Sequence, residues 1–202
     1  MIDFNSLLPN HEEQERLQTT FERVRGDVER DDRYNDEYSE WLWNGKPIDK
    51  IPSKHKSFVY LITNKLTGKR YIGFKVSVSK ARKTVKRKRV SVEVESDWKD
   101  YWSSSDTLNE DVKKFGCGNF IREIICLTVN KAIGKYIEAH LHFTRQVLTT
   151  NSAHYYNGIV NLRCNQQTLK QIDHVEWCDG KLLGDQLAET QYGLIDKYAP
   201  FR

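Results

Sequence analysis

Two phenols held side by side can orient a water molecule and pass protons, and this chain offers such a pair in FVYLITNKLTGKRYIG, residues 58–73, where Tyr60 and Tyr71 lie eleven positions apart. Directly behind them, residues 75–90 read KVSVSKARKTVKRKRV. Lys75, Lys80, Arg82, Lys83, Lys86, Arg87, Lys88 and Arg89 give eight cations in sixteen residues with no acid among them. So many like charges repel one another in a compact fold unless a polyanion neutralises them, and displacing counterions from nucleic acid is the commonest use of such a run. A solvated loop or a targeting signal is the plainer alternative. Further along, Trp98, Tyr101 and Trp102 stand beside Ser103, Ser104 and Ser105, a set of flat rings and hydroxyls suited to sugar and phosphate, or, for Trp98 above all, to a core. His140 and His142 do not make a metal pair, because residues two apart on a helix face roughly opposite sides; packing explains them better.

Elements must hold these groups in place. Residues 58–63 are β-branched, aromatic and apolar, 64–68 supply turn chemistry, and 69–73 resume a strand pattern, which predicts a β-hairpin presenting both phenols on one face. Asp106 or Thr107 can cap a short helix carrying Leu108, Val112 and Phe115, ended by Gly116, and residues 120–127 return as an apolar strand. The strongest helix signal covers 130–149: Asn130 caps it, Ile133, Ile137, Leu141, Thr144 and Leu148 line one face, and Glu138 sits one step round the rim. Ahead of the hairpin, residues 10–28 read as a helix capped by Asn10, with Leu17, Phe21, Val24 and Val28 on one stripe. A polar connector follows, in which Trp41, Leu42 and Trp43 are anchors to a core. Residues 165–202 are polar and mixed, with Trp177 and Tyr192 as packing points and no evident chemistry.

At 202 residues the chain suits one domain with extensions, and no apolar run approaches membrane-spanning length. The formal charge of +4 is unevenly spread: residues 1–50 hold 13 Asp and Glu against 7 Lys and Arg, or −6, which leaves +10 on the remaining 152. A basic body with an acidic N-terminal piece favours a phosphate-rich partner. Cys117, Cys126, Cys164 and Cys178 have neither a CxxC nor a secreted-scaffold spacing, so reduced thiols and an intracellular, cytoplasmic protein are expected.

Phe58-Val59-Tyr60 and Tyr71-Ile72-Gly73 resemble the two half-motifs of the GIY-YIG nuclease superfamily, with Phe58 where the family usually has glycine. The likeness extends through the Trp/Tyr-Ser-Ser element, Phe-Gly-x-Gly-Asn-Phe and the apolar strand after it, in the style of phage-type members, which would place the protein in a bacterial host cell. What the resemblance implies is an α/β (α+β) fold, a small antiparallel sheet flanked by helices over residues 55–165, with a helical extension at 1–54 and a C-terminal extension at 166–202. It implies a metal-dependent endonuclease acting on double-stranded DNA, phage homing or host-DNA attack being the associated roles.

By the same resemblance Glu138 is the ligand of a single Mg²⁺, with Mn²⁺ as a substitute, and Asn157 occupies the late asparagine position. Tyr60 or Tyr71 takes the proton of the attacking water, helped by nearby positive charge. Arg82, eleven residues after Tyr71, is the nearest match to a family arginine expected on a helix, Arg87 and Arg89 being alternatives, and Lys75 is a second charge stabiliser. Lys80, Lys83, Lys86, Arg87, Lys88, Arg89, Trp98, Tyr101, Ser103 and Ser104 are then the expected DNA contacts, and the N-terminal helix is the candidate for a homodimer contact. The rival readings are a non-catalytic DNA-binding protein on the same scaffold and an RNA-directed nuclease.

Overall fold

The computed structural model describes residues 39–85 and 88–192, the backbone alone over 83–85, 88–90 and at 192. The helix expected over residues 10–28, with the dimer contact assigned to it, lies outside the described residues, as do Lys86 and Arg87. In chain order the elements are β1 (Trp41–Trp43), β2 (Lys46–Pro47), β3 (Ser57–Asn64), β4 (Arg70–Val76), β5 (Val78–Val85), β6 (Lys88–Glu95), α1 (Asp106–Phe115), β7 (Phe120–Thr128), α2 (Lys131–Thr144), β8 (Glu176–Trp177) and α3 (Leu183–Tyr192), with short 3₁₀ turns between.

Every residue of β3 is buried, which requires partners on both edges and cover on both faces. β4 takes one edge and β7 the other, both antiparallel. The sheet runs β2-β1-β7-β3-β4, with β8 also on β7. β1 joins β7 in parallel, Trp41 opposite Arg122, so the expected antiparallel sheet is mixed and takes in a strand from the stretch read as a connector. The class is α+β as the sequence predicts. On one face Trp41, Phe58, Tyr60, Ile62, Tyr71 and Trp98 form a core with Leu108 and Val112 of α1; on the other Val59, Leu61 and Ile72 meet Ile133, Ile137 and Leu141 of α2.

Local chemistry sets the helix ends. Ser105, not Asp106 or Thr107, caps α1, its hydroxyl accepting from the Leu108 N–H, and Gly116 at φ +83° ends the helix. The Asn130 carboxamide accepts from the Ile133 N–H at 3.0 Å, as expected for α2. That helix stops at Thr144 and not near 149, because Gln146 turns to φ +49°, and Leu148 is left 40% exposed.

Two features depart further from expectation. The basic stretch makes no helix: β5 and β6 form a separate two-stranded ribbon, Val78 opposite Glu95 and Val85 opposite Lys88. The C-terminal segment, in turn, is wired into the body. Asp185 of α3 accepts from Arg70 at 3.0 Å and from both terminal nitrogens of Arg145 at 2.9 and 3.0 Å, while Glu123 of β7 caps α3 by accepting from the Leu183 and Gly184 N–H groups, each at 2.7 Å. Arg70 is only 1% exposed, so this shared carboxylate is part of the core.

Candidate active site

The hairpin brings the two phenols together as the sequence predicts. Tyr60 lies opposite Gly73 and Tyr71 opposite Ile62, a diagonal pair on one face with ring centres 6.1 Å apart. Gly73 explains itself here: a Cβ added there would stand 2.4 Å from both Cζ and Oη of Tyr60 and 2.7 Å from Cε1 of Tyr71. The ring of Tyr60 lies across the glycine, and no other residue leaves room for it. Phe58, in the position where the family usually has glycine, packs edge-on against Trp41 and Trp98 at 5.4 and 5.8 Å and leaves the pair intact.

Tyr101 adds a third phenol to the cluster. It lies close enough to Tyr60 to help raise that phenol, and Lys75 Nζ stands 3.5 Å from its ring centre while pairing with Asp97 at 2.8 Å. Tyr71 shares a 3.1 Å hydrogen bond with the hydroxyl of Ser104, an exposed residue. The three environments differ. Tyr60, 1% exposed, is pushed well above its usual pKa of 10 by burial first and then by the negative charge of its neighbours; Tyr71 and Tyr101 are raised for the same leading reason, opposed by their bonds to Ser104.

The outer edge of β4 tells how Glu138 and Asn157 reach this pair. Alternate residues of an edge strand point their amides outward, and here each finds a partner. The Arg70 carbonyl accepts from the Tyr156 N–H at 2.7 Å. Asn157 takes both groups of Ile72, its Oδ1 accepting from the N–H at 2.9 Å and its Nδ2 donating to the carbonyl at 2.7 Å. His142 adds a contact from Nε2 to the same carbonyl at 3.2 Å. At Phe74 the backbone amide favours the charged form of Glu138.

α2 lies on the other face of the sheet from the phenols, and Gly134 decides how near it comes. A Cβ there would meet the Phe74 ring at 2.4 Å. The ring therefore nests against the helix backbone, and Glu138, one turn later, lands at the strand edge close enough for its charge to raise all three phenols. Burial pushes the Glu138 carboxyl up to about 7, against the opposing pull of Lys135 and the Phe74 amide. A largely buried carboxylate with so high a pKa is under-compensated by the protein alone, and a divalent cation held by one carboxylate, water and phosphate fits that deficit.

The other expected residues fall in different places. The amide of Asn157 is committed to the Ile72 backbone. Arg82 is exposed on β5, opposite Ser91 and roughly 14 Å along the strand from Val78, so Lys75 is the cation that the structure brings to the phenols. Trp98 is 1% exposed and belongs to the core, not to a DNA surface; Ser103 is 8% exposed and closes a turn with Ser105 and Asn109. Lys80 is exposed on the ribbon, and Lys83, Lys88 and Arg89 lie on its strands. Gly134 and His142 were missed as site builders, although a glycine inside a strong helix pattern is itself a signal of close approach.

Comparison with known proteins agrees with this geometry. The family model SegE_GIY-YIG, described for the GIY-YIG domain of the segE endonuclease, matches residues 41–160, which is 120 of the 202 residues. No curated protein and no solved structure matches the chain significantly. The match covers more than half of the chain, begins at β1, and contains both tyrosines, Gly73, Glu138 and Asn157: this protein is a member of the GIY-YIG nuclease superfamily.

Proposed function

We propose that the chain is a divalent-metal-dependent endonuclease that hydrolyses phosphodiester bonds of double-stranded DNA. The observation that carries the reading is the meeting of three phenols, Lys75 and a largely buried Glu138 at the Tyr71-Ile72-Gly73 strand. Binding alone has no need for a desolvated carboxylate beside packed phenols, which separates this reading from a non-catalytic DNA-binding scaffold.

Glu138 would hold the cation, which when bound supplies Lewis-acid polarisation of the phosphate and lowers the pKa of nearby water and phenols. Tyr60 is sealed from solvent and serves to seat Tyr71, whose ring it meets at 6.1 Å. Tyr71, joined to exposed Ser104, can take the proton of the attacking water as its own phenolic proton passes to the Ser104 hydroxyl and on to solvent. Lys75, over Tyr101, contributes positive charge toward the anionic transition state. Asn157 and His142 hold the strand on which Tyr71 and Gly73 ride.

The test is cleavage of supercoiled plasmid by the wild type and by Glu138→Ala, with Mg²⁺, with Mn²⁺ and with chelator. The expected result is nicked or linear product that needs the metal and is absent in Glu138→Ala. Intact plasmid under every metal and pH, with binding retained, would overturn the catalytic reading.

A further inference from the structure

The ribbon β5–β6 has no place in the chemistry above, yet it leaves from the middle of it. It starts three residues after Lys75 and ends two before Asp97, the ion pair beside Tyr101. Its root is pinned to the body by the Ser77 N–H on the Lys56 carbonyl and the Ser96 N–H on the Ser77 carbonyl, both at 3.0 Å.

Charge divides the ribbon along its length. Acids stand near the root, and each is engaged: Glu93 pairs with Lys56 at 2.6 Å, Glu95 accepts from the Trp98 indole at 2.9 Å, and Asp97 pairs with Lys75. From residue 81 to 92 the sequence holds Arg82, Lys83, Lys86, Arg87, Lys88 and Arg89 and no acid. The register sets Lys80 and Arg82 on the same face as Ser91 and Glu93, all four exposed, and Glu93, directly opposite Lys80, is drawn off toward Lys56. A two-stranded ribbon contributes little to its own stability, and an outward run of one sign weakens it further, so its length and charge point to a partner.

Dimensions choose the partner. Two strands about 4.8 Å apart fit the major groove of B-form DNA, about 12 Å wide, whereas the deep, narrow major groove of an RNA duplex excludes them. Resting on the nuclease reading above, we propose that β5–β6 is a groove-reading arm that lies in the major groove of duplex DNA and sets where the phenol cluster cuts. Each strand has eight residues and so reaches about 27 Å, which spans roughly eight base pairs. The scissile phosphate therefore falls within about one helical turn of the bases the arm touches.

The experiment measures binding of a labelled DNA duplex in chelator, so that cleavage plays no part, across a series of salt concentrations. It compares the full chain with a variant in which an Asn-Gly turn joins the register partners Ser79 and Val94, and with the double variant Lys80→Ala, Arg82→Ala. The shortened arm is expected to lose at least about a hundredfold in affinity while still melting cooperatively. The double variant should flatten the slope of log affinity against log salt by up to about 1.8, two phosphate contacts' worth. Methylating guanine N7, on the major-groove edge, should weaken the wild type and leave the shortened variant unaffected, and an RNA duplex of the same sequence should bind the wild type no better than DNA binds the shortened variant.

Unchanged affinity and slope in both variants, or equal binding of the RNA duplex, would refute the arm; if the shortened variant fails to fold, the double variant decides alone. A wild type that binds no duplex at all refutes the nuclease reading and the arm with it, while plasmid cleavage together with unaltered binding by the variants refutes the arm only.

Discussion

Two antiparallel hairpins follow one another in this chain, and they differ in almost every physical respect. β3–β4 is covered on both faces: residues 57–73 of its two strands are all buried, Tyr60 and Tyr71 toward the aromatic core and Val59, Leu61 and Ile72 toward α2. β5–β6 pairs only with itself, and its described side chains alternate between exposed Ser91, Glu93 and Glu95 and partly buried Val92 and Val94. The first hairpin is over-determined and can hold a phenol to a fraction of an ångström; the second is under-determined and open to a partner. Chemistry needs the first kind of element, and recognition of a long polymer can use the second.

The sharpest way to break the contrast is at Glu138, which belongs to neither hairpin but completes the first. Glu138→Gln should lower cleavage on the order of 10³-fold or more, the several kcal/mol a divalent ion supplies, as read by plasmid nicking rates. The same variant should be more stable than the wild type at pH 8 without metal. The folded pKa of Glu138, about 7, lies above its ordinary 4.5, so the stability associated with the protonated form is complete below 4.5 and is lost as pH rises through 7. Removing the charge should restore about 1–3 kcal/mol at pH 8 and nothing below pH 4.5, measured by thermal melts.

Gly73→Ala comes next. The added methyl overlaps the Tyr60 ring at 2.4 Å, and overpacking of that kind costs about 1–3 kcal/mol and displaces the phenol, so both melting temperature and cleavage should fall. A variant with wild-type activity would show that the seating of Tyr60 over Gly73 is not required. Asn157→Ala leaves the N–H of Ile72 without its partner and the carbonyl with His142 alone at a part-buried edge, a loss of about 1–3 kcal/mol, and should lower the cleavage rate while leaving its metal requirement in place, as a positioning role demands. The pH profile sharpens the picture further: cleavage should rise through about pH 7 at low Mg²⁺, with a midpoint that moves down as Mg²⁺ is added, because the cation competes with the proton for Glu138. Least affected is the second hairpin, where Lys80→Ala, Arg82→Ala should change stability by less than about 0.5 kcal/mol, both side chains being exposed.

Much of the first hairpin is legible in the chain itself. The apolar run 58–63, the turn residues after it and the Asn130 cap are local signals, and the structure places β3, β4 and α2 where they predict. The ribbon was legible too, and was obscured by charge: Val90, Val92 and Val94 alternate with Ser91, Glu93 and Glu95 in a period of two, a strand signature overshadowed by the cations and by the helix that the family leads one to expect. What pattern alone does not carry is pairing at a distance. Nothing local joins Trp41 to Arg122 in parallel register or sets Lys75 over Tyr101, and the amide of Asn157 on Ile72 spans 85 residues. These depend on which edges remain open once the sheet has formed, a property of the assembled fold.

The carboxylate of Asp185 bears on what this interior is made of. The matched family module stops at residue 160, yet two of its buried guanidiniums, Arg70 next to Tyr71 and Arg145 just beyond the helix that bears Glu138, share an anion that the chain delivers only at residue 185. Cut at residue 160, this chain would lose the carboxylate that both guanidiniums share, so the strap that carries it is as much a part of the interior as the strands it closes over.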